Sequence, residues 1–203
     1  MPEITAGLRA AHKLRTQRSI QDHAMRLFTE RGYDSTTVAD IAKAADVSSM
    51  TVFRYFPTKE DLVMGDEYDP IIVEKIQAQP PWDPLIRRIC QGLVEVAAER
   101  TPEDEAMLLA RIRMGLSVPS LRARMWDGQF QSQQRLVAGL RTAGADPQQD
   151  LELQVATGAS LAAAAAAIMR WADGDGQEDL PALMDAALRM LWTDDTSIGG
   201  TAA

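Results

Sequence analysis

Apolar positions along the chain recur mostly at helical spacing. Ile20, Ala24, Leu27 and Phe28 stand at i, i+4, i+7 and i+8, and Arg31 followed by Gly32 supplies a basic last turn and a cap, which predicts a first helix over roughly Lys13 to Arg31. In "TTVADIAKAADVS", Thr37 is the expected N-cap with Asp40 three residues on, and Val38, Ile41, Ala42 and Ala45 form one stripe of a helix about two turns long. Asp46, a residue type that tolerates the left-handed conformation, marks a turn. Ser48 or Ser49 then caps a third helix with Val52, Phe53 and Phe56 inward, and Pro57 stops it. Two short helices joined by a tight turn, with a longer helix to pack on, form the helix-turn-helix pattern.

Helical patterning continues through the remainder. "KEDLVMGDEYDPIIVEKIQAQ" predicts a helix beginning at Lys59 and bent at Pro70, and "PPWDP" is a linker ending in an Asp83 cap. Further helices are expected over Pro84 to Arg100, Glu103 to Leu116, Ser120 to Thr142, Gln148 to Ala172 and Leu180 to Trp192, divided by "TPED", "SVPS", "AGADP" and "DGDGQED". Period-two alternation nowhere persists long enough to predict a strand, and no internal repeat is present. The expected fold is all-α: a helix-turn-helix domain with a flexible N-terminal arm over residues 1–60, a helical body over 61–193 and a disordered tail over 194–203.

Composition narrows the partners. The 203 residues carry a net charge of −8, which argues against nucleic acid until it is divided: residues 1–60 sum to +2 and the rest to −10. A basic end on an acidic body suits a polyanion-binding module. One cysteine, Cys90, rules out an internal disulfide, and no Cys/His cluster has metal-ligand spacing, so neither metal nor cofactor is expected. The N-terminus lacks the apolar core of a signal peptide and the longest apolar run, Leu161 to Met169, is short and mostly alanine, so a cytoplasmic chain without a membrane span is expected. His12 and His23 have no second catalytic group at a telling spacing, and "GDGQED" lacks the ligand pattern of a calcium loop. No catalytic residues are assigned.

Once Val52, Phe53 and Phe56 are turned inward, Ser48, Ser49, Met50, Thr51, Arg54 and Tyr55 are left at or near the other face of the third helix. Small hydroxyls and helix N-termini suit phosphate oxygens, Lys59 opens the next element beside the backbone, and Arg54 has the guanidinium fork that grips guanine O6 and N7. The segment "RLFTERGYDSTTVADIAKAADVSSMTVFRYFPTKEDL" resembles the DNA-binding domain of the TetR family of bacterial repressors over about Arg15 to Leu62. Three positions depart from that pattern: Asp46 and Met50 stand where the family commonly has glycine, and Phe53 where it often has tyrosine. The resemblance implies a homodimer on double-stranded operator DNA, with Thr37, Tyr55 and Lys59 on phosphates and Ser49, Met50, Thr51 and Arg54 facing base edges. It also implies a small-molecule effector bound in the helical body, whose last two helices pair with the partner's.

Candidate residues for that body follow from its patterning. Cys90, Met107, Met114, Trp126 and Phe130 are the candidates to line a cavity for an apolar effector; the alternative is that the methionines and rings fill the core and that Cys90, lying among apolar residues, is a buried inert thiol. Arg111 shares a helix face with Met107 and Met114; it either grips an anionic group or snorkels to the surface. Gly158, Ala162, Ala165 and Ala166 form a small-residue stripe that admits another helix closely, and with Leu180, Met184, Leu188 and Leu191 they suggest a four-helix dimer contact; intrachain packing is the alternative. The reading is a ligand-released homodimeric repressor. A DNA binder without small-molecule control and an all-helical enzyme are the alternatives.

Overall fold

The computed structural model describes residues 2–64, 68–142, 144 and 146–192, with side chains from Arg15 onward. Nine α-helices and no strand occur among them: α1 Pro2–Arg31, α2 Val38–Ala44, α3 Ser49–Tyr55, α4 Asp69–Ala78, α5 Leu85–Ala98, α6 Pro102–Ser117, α7 Pro119–Leu140, α8 Pro147–Asp173 and α9 Leu180–Arg189. The helical backbone of α1 starts at Pro2 instead of near Lys13. No helix begins at Lys59; a single 3-10 turn, Glu60–Leu62, stands there, and Pro70 occupies the first turn of α4, where its missing N–H costs nothing, instead of bending a longer helix. The expected tail, 194–203, lies outside the described residues.

The chain divides into two compact units, and the division is not at residue 60: residues up to 64 group with 110–126, and 68–109 with 127–192. In the first unit each boundary has a local cause. Gly32, at φ 88°, closes α1 by donating its N–H to the Phe28 carbonyl at 2.9 Å, and the buried Thr36 hydroxyl donates to the Leu27 and Gly32 carbonyls. Thr37 and Asp40 form a reciprocal capping box on α2. Asp46 takes φ 53° at the turn, and the Ser48 hydroxyl accepts the Thr51 N–H at 3.0 Å to start α3. Ile20, Ala24, Leu27, Phe28, Ile41, Val52, Phe56 and Leu62 are the buried core these helices share.

In the second unit α5 packs against α4, α8 and α9, and α8 against α9. Gly92 allows the α4–α5 approach, since a Cβ there would lie 2.6 Å from Ile76 Cγ1 and 3.0 Å from the Ile76 backbone nitrogen. Ile76, Ile89, Leu93, Leu136, Trp171, Leu180, Met184 and Leu188 are buried in it. Asp69, only 6% exposed at the start of α4, is satisfied by Arg135 Nε at 2.6 Å and the Ser132 hydroxyl at 2.5 Å. By length and composition α8 could cross a membrane, but a third (33%) of its most apolar window is buried within the chain.

Candidate nucleic-acid interface and ligand cavity

α3 has two unlike faces. Val52 and Phe56, four residues apart, point into the core at 0% and 3% exposure, while Met50 and Phe53 stand 78% and 47% exposed beside the exposed Arg54. Residues at 50, 53 and 54 share one helical face, so this seven-residue helix presents a thioether, a ring and a guanidinium together. Arg54 has no ion-pair partner among the described residues; its guanidinium carbon lies 5.3 Å from the centre of the Tyr55 ring. Large apolar side chains left in water are costly unless something covers them. Base edges in a major groove offer both acceptors for the fork and thymine methyls for the apolar pair.

The hydroxyls around this face are already engaged. Thr37 donates its proton to Asp40 at 2.5 Å and accepts the Asp40 N–H at 3.2 Å. Those bonds from Thr37, reinforced by Arg31 and Lys43, hold the Asp40 carboxyl below its ordinary range. The Ser48 and Thr51 hydroxyls lie 2.9 Å apart. Lys59 is turned away from solvent: its ammonium donates to the Tyr33 carbonyl at 2.5 Å and sits 4.2 Å from the Tyr33 ring centre and 5.6 Å from that of Phe28. Next to it, Asp61 receives both Arg124 Nε at 3.2 Å and Nη2 at 2.7 Å. Burial alone would raise the Asp61 carboxyl, but Arg124 together with the Thr58 hydroxyl and amide outweighs it and holds the carboxyl low.

The second unit holds a cavity of about 240 Å³. Leu93, Val96, Ala97 and Arg100 line it from α5 and its C-terminal end, Gln129 and Ser132 from α7, Leu161, Ala164, Ala165 and Ile168 from α8, and Leu180 and Met184 from α9, with Ile72 and Leu108 completing the wall. On the opposite side of α8, Leu151, Val155, Ala162 and Ala166 form an exposed small and apolar stripe, and Met190, the C-cap of α9, is 84% exposed.

Two family models match the chain: bacterial regulatory proteins of the tetR family over residues 20–64, and the MftR C-terminal domain over residues 83–194, more than half of its length. The chain belongs to the TetR family. Members of this family are transcriptional regulators and not enzymes. The chain is similar to the HTH-type transcriptional regulator TcmR of Streptomyces glaucescens, 27% identical over 124 residues, 58% of this chain and 55% of that protein. It is also similar to AcrR of Shigella flexneri, 33% identical over 104 residues, 48% of this chain and 47% of that one. These matches span about half the length of the curated relatives. The fold is shared with the TetR-family regulator SCO0857 of Streptomyces coelicolor, at 22% identity and a TM-score of 0.57 over 87% of this chain and 92% of that one.

Several positions carried over from the TetR pattern, or read from spacing, fall elsewhere in the structure. Phe53 faces outward, because the buried line of α3 runs through Val52 and Phe56 and the next residue is rotated about 100° from it. Lys59 clamps the loop after α1 instead of projecting its charge, and the Thr37 proton is taken by its own capping box. Ser49, Met50, Thr51, Arg54 and Tyr55 do lie on or beside one short helix, with Ser48 as its cap. None of the expected pocket residues lines the cavity. Leu108 faces it, so its neighbour Met107 is turned aside; Arg111, Met114 and Trp126 group with the first unit, Phe130 is 60% exposed, and Cys90 lines a separate cavity of about 190 Å³ with its thiol pushed up by burial. The cationic residue at the wall is Arg100, which follows a helix end and has no periodic signature.

The expected dimer set also divides. Leu180, Met184 and Leu188, spaced by four, are core residues of their own chain, Ala165 faces the cavity, and a Cβ on Gly158 would meet Gln133 Nε2 of the same chain at 2.8 Å. Ala162, Ala166 and Leu191 remain on the free side.

Proposed function

We propose that this chain is a homodimeric, cytoplasmic transcriptional repressor that binds a near-palindromic operator through α3 of each subunit and is released by a small apolar effector in the cavity of its C-terminal unit. The observation that carries the reading is the outward face of Met50, Phe53 and Arg54: apolar surface and an uncommitted guanidinium side by side on a helix whose opposite face is fully used. Phosphate contacts come from the hydroxyls of Ser49 and Tyr55 more than from Thr37, Thr51 or Lys59, whose donors are occupied within the chain. Dimerisation is supported by the Leu151, Val155, Ala162 and Ala166 stripe, which explains why α8 is apolar on more than its buried side.

Release is supported through α7. This one helix carries Arg124, which grips Asp61 beside the 3-10 turn, and two turns further on carries Ser132 of the cavity wall. A ligand that displaces α7 therefore biases Asp61 and the elements it follows, and two reading helices about one DNA turn apart, roughly 34 Å, tolerate little displacement. The test is competition binding across salt concentration, using a duplex selected by the protein from a random pool. The reading expects steep salt dependence and strong preference over random duplex. A flat salt response or equal affinity for random DNA contradicts it.

A further inference from the structure

The cavity has a polar end as well as an apolar wall. Arg100 lies at the C-terminal end of the α5 stripe formed by Leu93, Val96 and Ala97, and its guanidinium carbon is 4.1 Å from the centre of the Tyr68 ring. Asp69, the neighbour of Tyr68, accepts the hydroxyl of Ser132 from the same cavity lining, so two adjacent residues of the chain hold Arg100 and Ser132, and Gln129 stands one helical turn before Ser132 on α7. The charges at this end do not cancel Arg100. Both oxygens of Asp69 are occupied, Oδ1 by Ser132 and Oδ2 by Arg135, and no carboxylate among the described residues pairs with Arg100. Stacking on Tyr68 fixes the plane of the guanidinium while leaving its N–H groups free.

We infer that the cavity takes an amphiphile with an anionic head, whose carboxylate or phosphate is gripped by Arg100 while its aliphatic tail lies against Leu93, Leu161, Ala164, Ile168 and Met184. This rests on reading the cavity as the effector site. An aliphatic tail suits the wall because only Arg100, Gln129 and Ser132 of the fourteen lining residues are polar, and Ser132 has already given its proton to Asp69. A guanidinium at the rim selects an anion over a neutral or cationic head because the charge-assisted bidentate bond is available only to the anion. The Gln129 amide adds a donor of the same preference.

The test uses four ligands with one tail and different heads: decanoate, decyl phosphate, decanol and decyltrimethylammonium, titrated calorimetrically into the full chain at pH 8. The expected result is binding of decanoate or decyl phosphate about tenfold or more tighter than decanol, with the trimethylammonium weakest. Whichever of the two anions binds tighter identifies the head. Arg100→Ala should collapse the anion-to-alcohol ratio toward one, and Arg100→Lys should keep part of it. Equal binding of decanoate, decyl phosphate and decanol, or an unchanged ratio in Arg100→Ala, overturns the inference while leaving the effector cavity standing. If none of the four binds, the cavity is not an effector site and both readings fall.

Discussion

The reading face and the ligand cavity are built on opposite principles. α3 gathers Met50, Phe53 and Arg54 within five residues, so local helical geometry alone brings them together and the rest of the chain only holds the helix in place. The cavity collects side chains from Ile72 to Met184, spread over six helices and more than a hundred residues. A surface that must meet an invariant double helix can be encoded in one short segment. A cavity between helices is a property of packing, and its polar groups depend on contacts from Tyr68 to Arg100 and from Asp69 to Ser132.

The largest effect that separates the two regions is expected from Arg54→Ala. Loss of a bidentate base contact should cost roughly 1 to 3 kcal/mol per half-site on the selected operator and far less on random duplex, measured by competition binding. Ligand titrations of the same variant should be unaltered. Equal losses on both duplexes would make Arg54 a phosphate contact and weaken the claim that α3 carries sequence information.

Two alanines on one helix sharpen the comparison further. Ala162→Leu, on the free side of α8, should weaken the dimer by roughly 1 to 3 kcal/mol through overpacking, visible by sedimentation velocity. Ala165→Leu, on the cavity side, should leave the dimer intact and reduce binding of decanoate. The reverse pattern would exchange the roles of the two faces.

Lys59→Ala should lower the unfolding free energy by about 1.5 kcal/mol, because the Tyr33 carbonyl loses a charged donor and two rings lose their cation. An unchanged melting temperature together with a uniform loss on all duplexes would restore Lys59 to the phosphate backbone. The smallest effect concerns Asp61. Its folded pKa is depressed, so the ion pair with Arg124 contributes fully above the ordinary carboxylate value of about 3.9 and is lost as pH falls through the folded value. The contribution is no more than about 1 kcal/mol for a partly exposed pair, and the melting temperature of Arg124→Ala should converge with that of the unaltered chain in acid.

The helix-turn-helix was readable from sequence because its punctuation is local: Gly32, the Thr37 and Asp40 box, Asp46 and Ser48 each act within a few residues. Phe53 is apolar without being buried, because the outward face of α3 is itself apolar and hydrophobicity there does not mark the core. For Lys59 and Thr37 the sequence displays a charge and a hydroxyl but does not reveal that a neighbour within the chain already holds each. In the body, Met107 and Leu108 differ by one residue and about 100°, and only tertiary packing decides which of them meets the cavity. Leu180, Met184 and Leu188 satisfied the pattern of an interface equally well as that of a core.

Coupling of the cavity to α3 through one helix requires reciprocity between the two ligands. Decanoate affinity should be measured on the free protein and on its complex with the selected operator, alongside operator affinity with and without decanoate. The two ratios should agree and lie in the range of about 5- to 150-fold typical of such coupling, and both should shrink in Arg124→Ala. Decanoate binding equally well to the free protein and to the operator complex would contradict this coupling, however tightly it bound.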